Sequence, residues 1–339
     1  MITMKRKGFT LIELLAVIVI LAIIAIIATP TILGVIEKAR RGASEQSALG
    51  YIDAVEKQVA INQVKNENLI NDGTYNVPMT GITVKGEAPT KGWLKIEKGM
   101  VTNYSFVIGK YVVTKGSETV KGDEPKTYPV YSNGTAIYYN PVTNSKCDSS
   151  EAVSTTGTKT GCMKWYTFND EGENSSTVNM ILDHNTTANI VWNTENKNVA
   201  YEDSEVKIEV EKLVNESKWA NIPRLISAEE VAKITGNTSW KNTSDWYYLD
   251  SNNQNLTVNS KGASKYAWLF DYTKECTKYG CNIEDSNNYG YWTSTTYDKA
   301  ESGSQVWYVR SSDGLFYYKA NFLYHGIRPV ITISKKVIS

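Results

Sequence analysis

Glu13 is the residue whose chemistry most needs explaining. It is the one ionisable side chain between Phe9 and Ala28, and it follows a Gly8-Phe9 junction that is itself preceded by Lys5, Arg6 and Lys7. An ionised group in a segment otherwise fit for a bilayer core costs on the order of 3 kcal/mol on insertion scales, so it requires a partner. A cut between Gly8 and Phe9 would create one, because the new α-amino group carries the complementary charge. An ordinary secretory signal is cut after an apolar region of about 7–15 residues. Here the cut precedes the apolar run, which the mature chain would keep. The competing reading is an uncleaved anchor. Charge does not orient the segment, since Lys5, Arg6 and Lys7 are matched by Lys38, Arg40 and Arg41 on the other side.

The four cysteines form two local pairs, Cys147 with Cys162 and Cys276 with Cys281. If the body lies outside the cell, disulfides are the expected state. Three connectivities are open, and the local one closes the shortest loops. Zinc would want tight Cys clusters or nearby histidines, and the only histidines, His184 and His325, are close in sequence to neither pair. The run Asp250 to Asn255 alternates oxygen-bearing residues but lacks the glycine and distal glutamate of a calcium loop, so a polar turn is expected. No metal and no cofactor are expected. The 36 basic and 36 acidic residues cancel, and loss of residues 1–8 would leave 33 basic side chains. No basic stripe marks a nucleic-acid site.

These residues need elements to hold them. From Phe9 to about Asn66 the pattern is one long helix, with Leu11–Ala28 apolar throughout apart from Glu13. That length suits a bilayer at about 1.5 Å per residue. Beyond Thr29 the helix turns amphipathic, with Ile32, Val35, Ile36, Ala39, Ala43, Tyr51, Ala54 and Val55 at helical spacing. Pro30 removes a hydrogen bond inside this helix, at about 3 kcal/mol. Residues 67–121 carry Gly-punctuated, β-branched runs: Gly92–Ile96, Tyr104–Ile108 and Lys110–Thr114. They predict an antiparallel meander laid on the amphipathic half-helix. Residues 122–127 then read as a linker, and 128–339 as a second domain holding eight of the nine tryptophans.

The stretch Lys7-Gly8-Phe9-Thr10-Leu11-Ile12-Glu13 before an apolar helix resembles the N-terminus of the type IV pilin and pseudopilin family. The resemblance implies an eight-residue leader removed by a prepilin peptidase after Gly8, and methylation of the Phe9 amine. It also implies assembly with other pilin subunits through helix 9–66, with Glu13 neutralising the amine of a neighbour's Phe9. Pro30 stands twenty-one residues beyond Phe9, where pilins carry a proline and the helix is expected to loosen in the filament. The subunit would wait in the cytoplasmic membrane before joining a cell-surface fibre.

The second domain has three ordered signatures. Asn221–Val231 combines a short strand with a helix start, in which Ser227 and Glu230 form a capping box. Tyr289–Thr295 centres on Trp292, and Gly326-Ile327-Arg328-Pro329-Val330 opens a closing strand. This order is similar to the formylglycine-generating-enzyme-like branch of the C-type-lectin fold. It departs in the first motif, at Ile226, and in the insert around 147–200. The namesake enzymes place a copper-binding Cys pair after the Trp strand. Cys276 and Cys281 precede Trp292, so catalysis is not expected. The calcium-dependent lectin triplets are also missing. Arg328 is expected to hold the last strand through a carboxylate, with ligand contact as the lesser reading. Trp240 and Trp246 are the candidates for an exposed ligand-binding patch. The resulting expectation is α+β: a long helix with a small antiparallel sheet, then a lectin-like α+β domain. Its role would be that of a minor or adhesive pilin meeting a surface ligand. The alternatives are a pseudopilin of a secretion or DNA-uptake apparatus and a surface-tethered enzyme.

Overall fold

The computed structural model describes residues 11–153, 157–187, 189–236, 241, 266–269, 290–297, 304–310 and 315–339. The chain divides into two compact units, Met1–Lys126 and Thr127–Ser339. The class is α+β, and the first unit is the simpler.

Helix α1 (Leu11–Lys65) is one continuous element of 55 residues that runs through Pro30. Its second half buries Ser44, Ala48, Tyr51, Val55 and Val59. Their spacing of three and four places them on a single stripe. That stripe faces a five-stranded antiparallel meander, β1 (Gly73–Val77), β2 (Lys91–Glu97), β3 (Met100–Ile108), β4 (Tyr111–Thr114) and β5 (Val120–Lys121), ordered as in sequence. Leu94, Ile96, Phe106, Ile108 and Val113 complete the core. Tyr51 meets Phe106 edge to face at 5.5 Å, and its hydroxyl accepts from the Met79 amide at 2.7 Å. The Glu56 carboxylate accepts from the Val101 amide at 2.8 Å and fixes the helix against β3.

The opposite face of this sheet is covered by its own chain. Ser105 pairs with Thr114 at 2.8 Å and accepts from the Lys126 amide at 2.7 Å, while the Trp93 indole donates to the Lys126 carbonyl. The segment expected as a linker therefore lies on the sheet as far as Lys126. At Gly92 a side chain has no room: a Cβ would stand 2.3 Å from the Ser105 carbonyl, and φ is +143°. Only glycine permits strands β2 and β3 to meet there.

The second unit is built on a six-stranded antiparallel sheet. Its strands are β6 (Ala136–Asn140), β7 (Ser145–Lys146), β8 (Met163–Phe168), β9 (Thr177–Leu182), β10 (Arg224–Leu225) and β14 (Pro329–Ser334), in the order β10-β14-β9-β8-β6-β7. The last strand thus returns to pair with β9 and β10. A three-stranded antiparallel sheet joins β11 (Gly290–Thr296), β12 (Gln305–Arg310) and β13 (Leu315–Lys319).

Alternation along the strands sends side chains to both faces of the larger sheet. Tyr139, Met163, Trp165, Met180, Leu182, Ile331 and Ile333 pack with Leu213 of helix α2 (Glu205–Asn215) and with Trp219. Tyr166, Phe168, Ile181 and Val330 pack on the other face. They meet Val231 and Ile234 of helix α3 (Ala228–Thr235) and Trp307. A third cluster joins Trp192, Val206, Val210, Trp292, Tyr308 and Ile327. The expected start of α3 is present: Ser227 Oγ accepts from the Glu230 amide, and Glu230 accepts from the Ser227 amide. Gly236, at φ +72°, ends the helix in the left-handed conformation.

Candidate functional site

The first half of α1 behaves unlike any other described element. Leu11, Ile12, Leu14, Leu15, Ile18, Leu21, Ile24, Ile26, Ile27, Leu33 and Val35 are all exposed, Leu11 at 84 % and Ile26 at 73 %. A soluble domain would bury such residues, and their burial would contribute roughly 1.5–3 kcal/mol each. Among the described residues α1 is the one helix long and apolar enough to cross a membrane. Glu13 lies in its first turn, where a carboxylate also complements the positive end of the helix.

The middle of α1 has two local weaknesses in succession. The Thr29 hydroxyl donates to the Ala25 carbonyl at 2.6 Å, a back-bond that bends helices. Pro30 follows with no amide hydrogen to offer the next carbonyl. Nothing lies within 4 Å of the Cβ positions of Gly34 or Gly42, so neighbouring groups do not brace this stretch there. Beyond it Arg41 reaches Glu118 at 2.5 Å, and Lys121 reaches Glu37 at 2.7 Å. Both pairs are exposed and screened by solvent, so they add little to stability. They mark where the helix stops being bare and meets the sheet unit.

In the second unit Cys147 and Cys162 form a disulfide with Cα atoms 6.0 Å apart. The loop it closes is held from within: the Trp219 indole donates to the Lys159 carbonyl at 2.6 Å, and His184 Nε2 lies 3.0 Å from the Thr158 carbonyl. His184 is buried, with Nδ1 at 2.6 Å from Asp183, a hydrogen-bonded interior residue.

Arg328 requires a correction. Among the described residues no carboxylate pairs with it, and its guanidinium, fully buried, donates instead to three carbonyls. These are Leu182 through Nε, Leu269 through Nη1 at 2.9 Å, and Trp268 through Nη2 at 2.7 Å. The end of β9 and the 267–269 turn leave carbonyls that no strand satisfies, and a planar five-donor fork can serve them together. A side chain so placed is internal to the fold. The bidentate carboxylate pair belongs to Arg224, which grips both oxygens of Glu230 at 2.6 and 2.7 Å. Sequence reasoning assigned Glu230 to the helix cap and missed this second duty.

Gly8, Phe9, Trp240, Trp246, Cys276 and Cys281, and the Asp250–Asn255 turn, lie outside the described residues. The seven described tryptophans, Trp93, Trp165, Trp192, Trp219, Trp268, Trp292 and Trp307, are all core residues at 6 % exposure or less. Among the described residues no group of three or more His, Cys, Asp or Glu side chains converges as a metal site would.

Residues 3–29 match the family model for the prokaryotic N-terminal methylation motif. The match covers the Gly8-Phe9 junction, Glu13 and most of the exposed apolar helix. It supports a type IV pilin or pseudopilin subunit, a structural component that associates with the membrane, is processed by a prepilin peptidase and assembles with other pilins. No curated protein and no solved structure matches the chain.

Proposed function

We propose that this chain is a type IV pilus subunit of the minor or adhesive kind. It would be anchored by α1 in the cytoplasmic membrane and then drawn into a surface filament. One observation carries the reading: the methylation motif runs directly into a helix whose opening stretch, Leu11–Ala28, is apolar apart from Glu13 and almost wholly exposed, and whose second half is fastened to a small antiparallel sheet. The bare half is a surface made for other helices. In the assembled fibre Glu13 would neutralise the amine of a neighbour's Phe9, and the Thr29-Pro30 stretch would yield as subunits pack.

The second unit is proposed to be the projecting part, a C-type-lectin-like domain that touches a surface ligand without metal and without turnover. The return of β14 to an interior position of the six-stranded sheet, between β10 and β9, and the small separate sheet carrying Trp292 support that assignment. Its mass, more than half the chain, favours sparse incorporation over dense helical packing.

Mass spectrometry of subunits sheared from the cell surface tests the processing step. The account expects an N-terminus at methylated Phe9, and expects Gly8→Val to leave residues 1–8 attached. A surface subunit that retains its leader would overturn it. Fibres without this subunit, together with a short periplasm-spanning assembly that contains it, would favour the pseudopilin reading.

A further inference from the structure

Lys335 and Asp170 are the most buried pair of charged side chains in the described structure, at 0 % and 2 % exposure, and nothing in the filament reading uses them. Lysine is almost never fully buried unless it is paired. Lys335 begins a short 3₁₀ turn after β14, and its amide is fixed to the Ser176 carbonyl at 2.8 Å. Asp170 lies in the turn after β8. Its Oδ2 accepts from the Tyr131 amide at 2.7 Å and its Oδ1 from the Gly172 amide at 2.9 Å. Lys335 Nζ lies 2.6 Å from Asp170 Oδ1 and 2.8 Å from the Gly172 carbonyl.

We propose that Lys335 and Asp170 condense to an intramolecular amide. Three features point that way. Burial at 0 % and 2 % exposure keeps bulk water, which would hydrolyse the bond and solvate the separated ions, away from the reacting atoms. Both carboxyl oxygens already receive backbone N–H groups, so an oxyanion forming on Oδ2 would be held by Tyr131 without reorganisation. The hydrogen-bond valence also fits the product. An ammonium offers three hydrogens to two acceptors among the described residues, whereas an amide N–H needs only one, which the Gly172 carbonyl supplies.

The step balances without an outside reagent. A proton passes from Nζ to Oδ1, and the freed lone pair attacks Cγ. A second proton leaves Nζ for the Oδ1 hydroxyl, the Cγ–Oδ1 bond breaks, and water departs. One ammonium and one carboxylate become one amide and one water, with no net proton change and no redox. The bond would join residues 165 apart and close most of the second unit into a covalent loop, restricting its unfolded state as a long-range disulfide does. The inference does not rest on the filament assignment.

Peptide mapping of the full-length chain, extracted from cells, reduced and alkylated, tests it. The expected result is a branched tryptic peptide joining the Asp170 and Lys335 stretches, lighter than the two linear peptides by about 18 Da, one water, with no cleavage after Lys335. Asp170→Asn should keep the branch with a loss of about 17 Da, one ammonia. Lys335→Arg, which preserves the charge, should give linear peptides only. Linear Asp170 peptides and complete cleavage after Lys335 in the wild-type chain would overturn the proposal and leave a buried ion pair.

Discussion

Two side chains carry opposite burdens. In the proposed filament Glu13 is a charge held where charge is costly, and its one purpose there is pairing with a neighbour's terminal amine. Glu13→Val should therefore leave cleavage after Gly8 largely intact while abolishing incorporation, since removing one partner of a buried pair typically costs about 3–5 kcal/mol. Comparing processed subunit in membranes and in sheared filaments checks this, and normal incorporation would contradict charge pairing. His325 is the reverse case, a titratable group kept neutral. It stacks on Tyr308 at 3.9 Å and meets the edge of Trp292 at 4.4 Å, and burial holds its imidazole down to about 3 from the ordinary 6.5. The unfolded chain takes up a proton as pH falls through 6.5, while the folded chain does not until about 3. The contribution is thus complete above 6.5 and declines on acidification through that window, by about 1.4 kcal/mol per pH unit. His325→Phe should flatten this acid limb. Urea unfolding followed by tryptophan fluorescence measures it, because eight of nine tryptophans lie beyond residue 127; an unchanged slope would contradict the assignment.

Elements were legible where a repeat was local. The helix, the strands Gly92–Ile96, Tyr104–Ile108 and Lys110–Thr114, and the Ser227–Glu230 cap each announce themselves within a few residues, and each is present. What could not be read was which distant group a polar residue would meet. Arg328 finds carbonyls of residues 182, 268 and 269, and Lys335 finds Asp170; no spacing along the chain encodes either match. The docking of Lys126 on β3 through Ser105 was hidden for the same reason, under a composition that reads as linker. The Cys147–Cys162 bridge was legible because its loop is short. Replacing both cysteines by serine should destabilise the second unit by roughly 3 kcal/mol, as chain entropy gives for a loop of this size. The first unit, with its separate core, should be unaffected. Loss of both transitions together would argue against independent units.

At the scale of the whole molecule, one chain combines a bare apolar half-helix with two units that bury their own cores. In the proposed function the helix serves assembly, and the sheet unit turns it from an anchor into a subunit. The second unit adds mass that a minimal filament does not require. Its aromatic residues are spent mainly on packing, so any ligand surface must come from loops and not from the described tryptophans. The central claim is that this chain is built into a surface fibre through α1. Immunogold labelling of intact cells with antibody against residues 127–339 tests it most directly. The account predicts gold along or at the tips of extended filaments, lost in the Glu13→Val strain. Label confined to the cell envelope, with filaments present and unmarked, would contradict it.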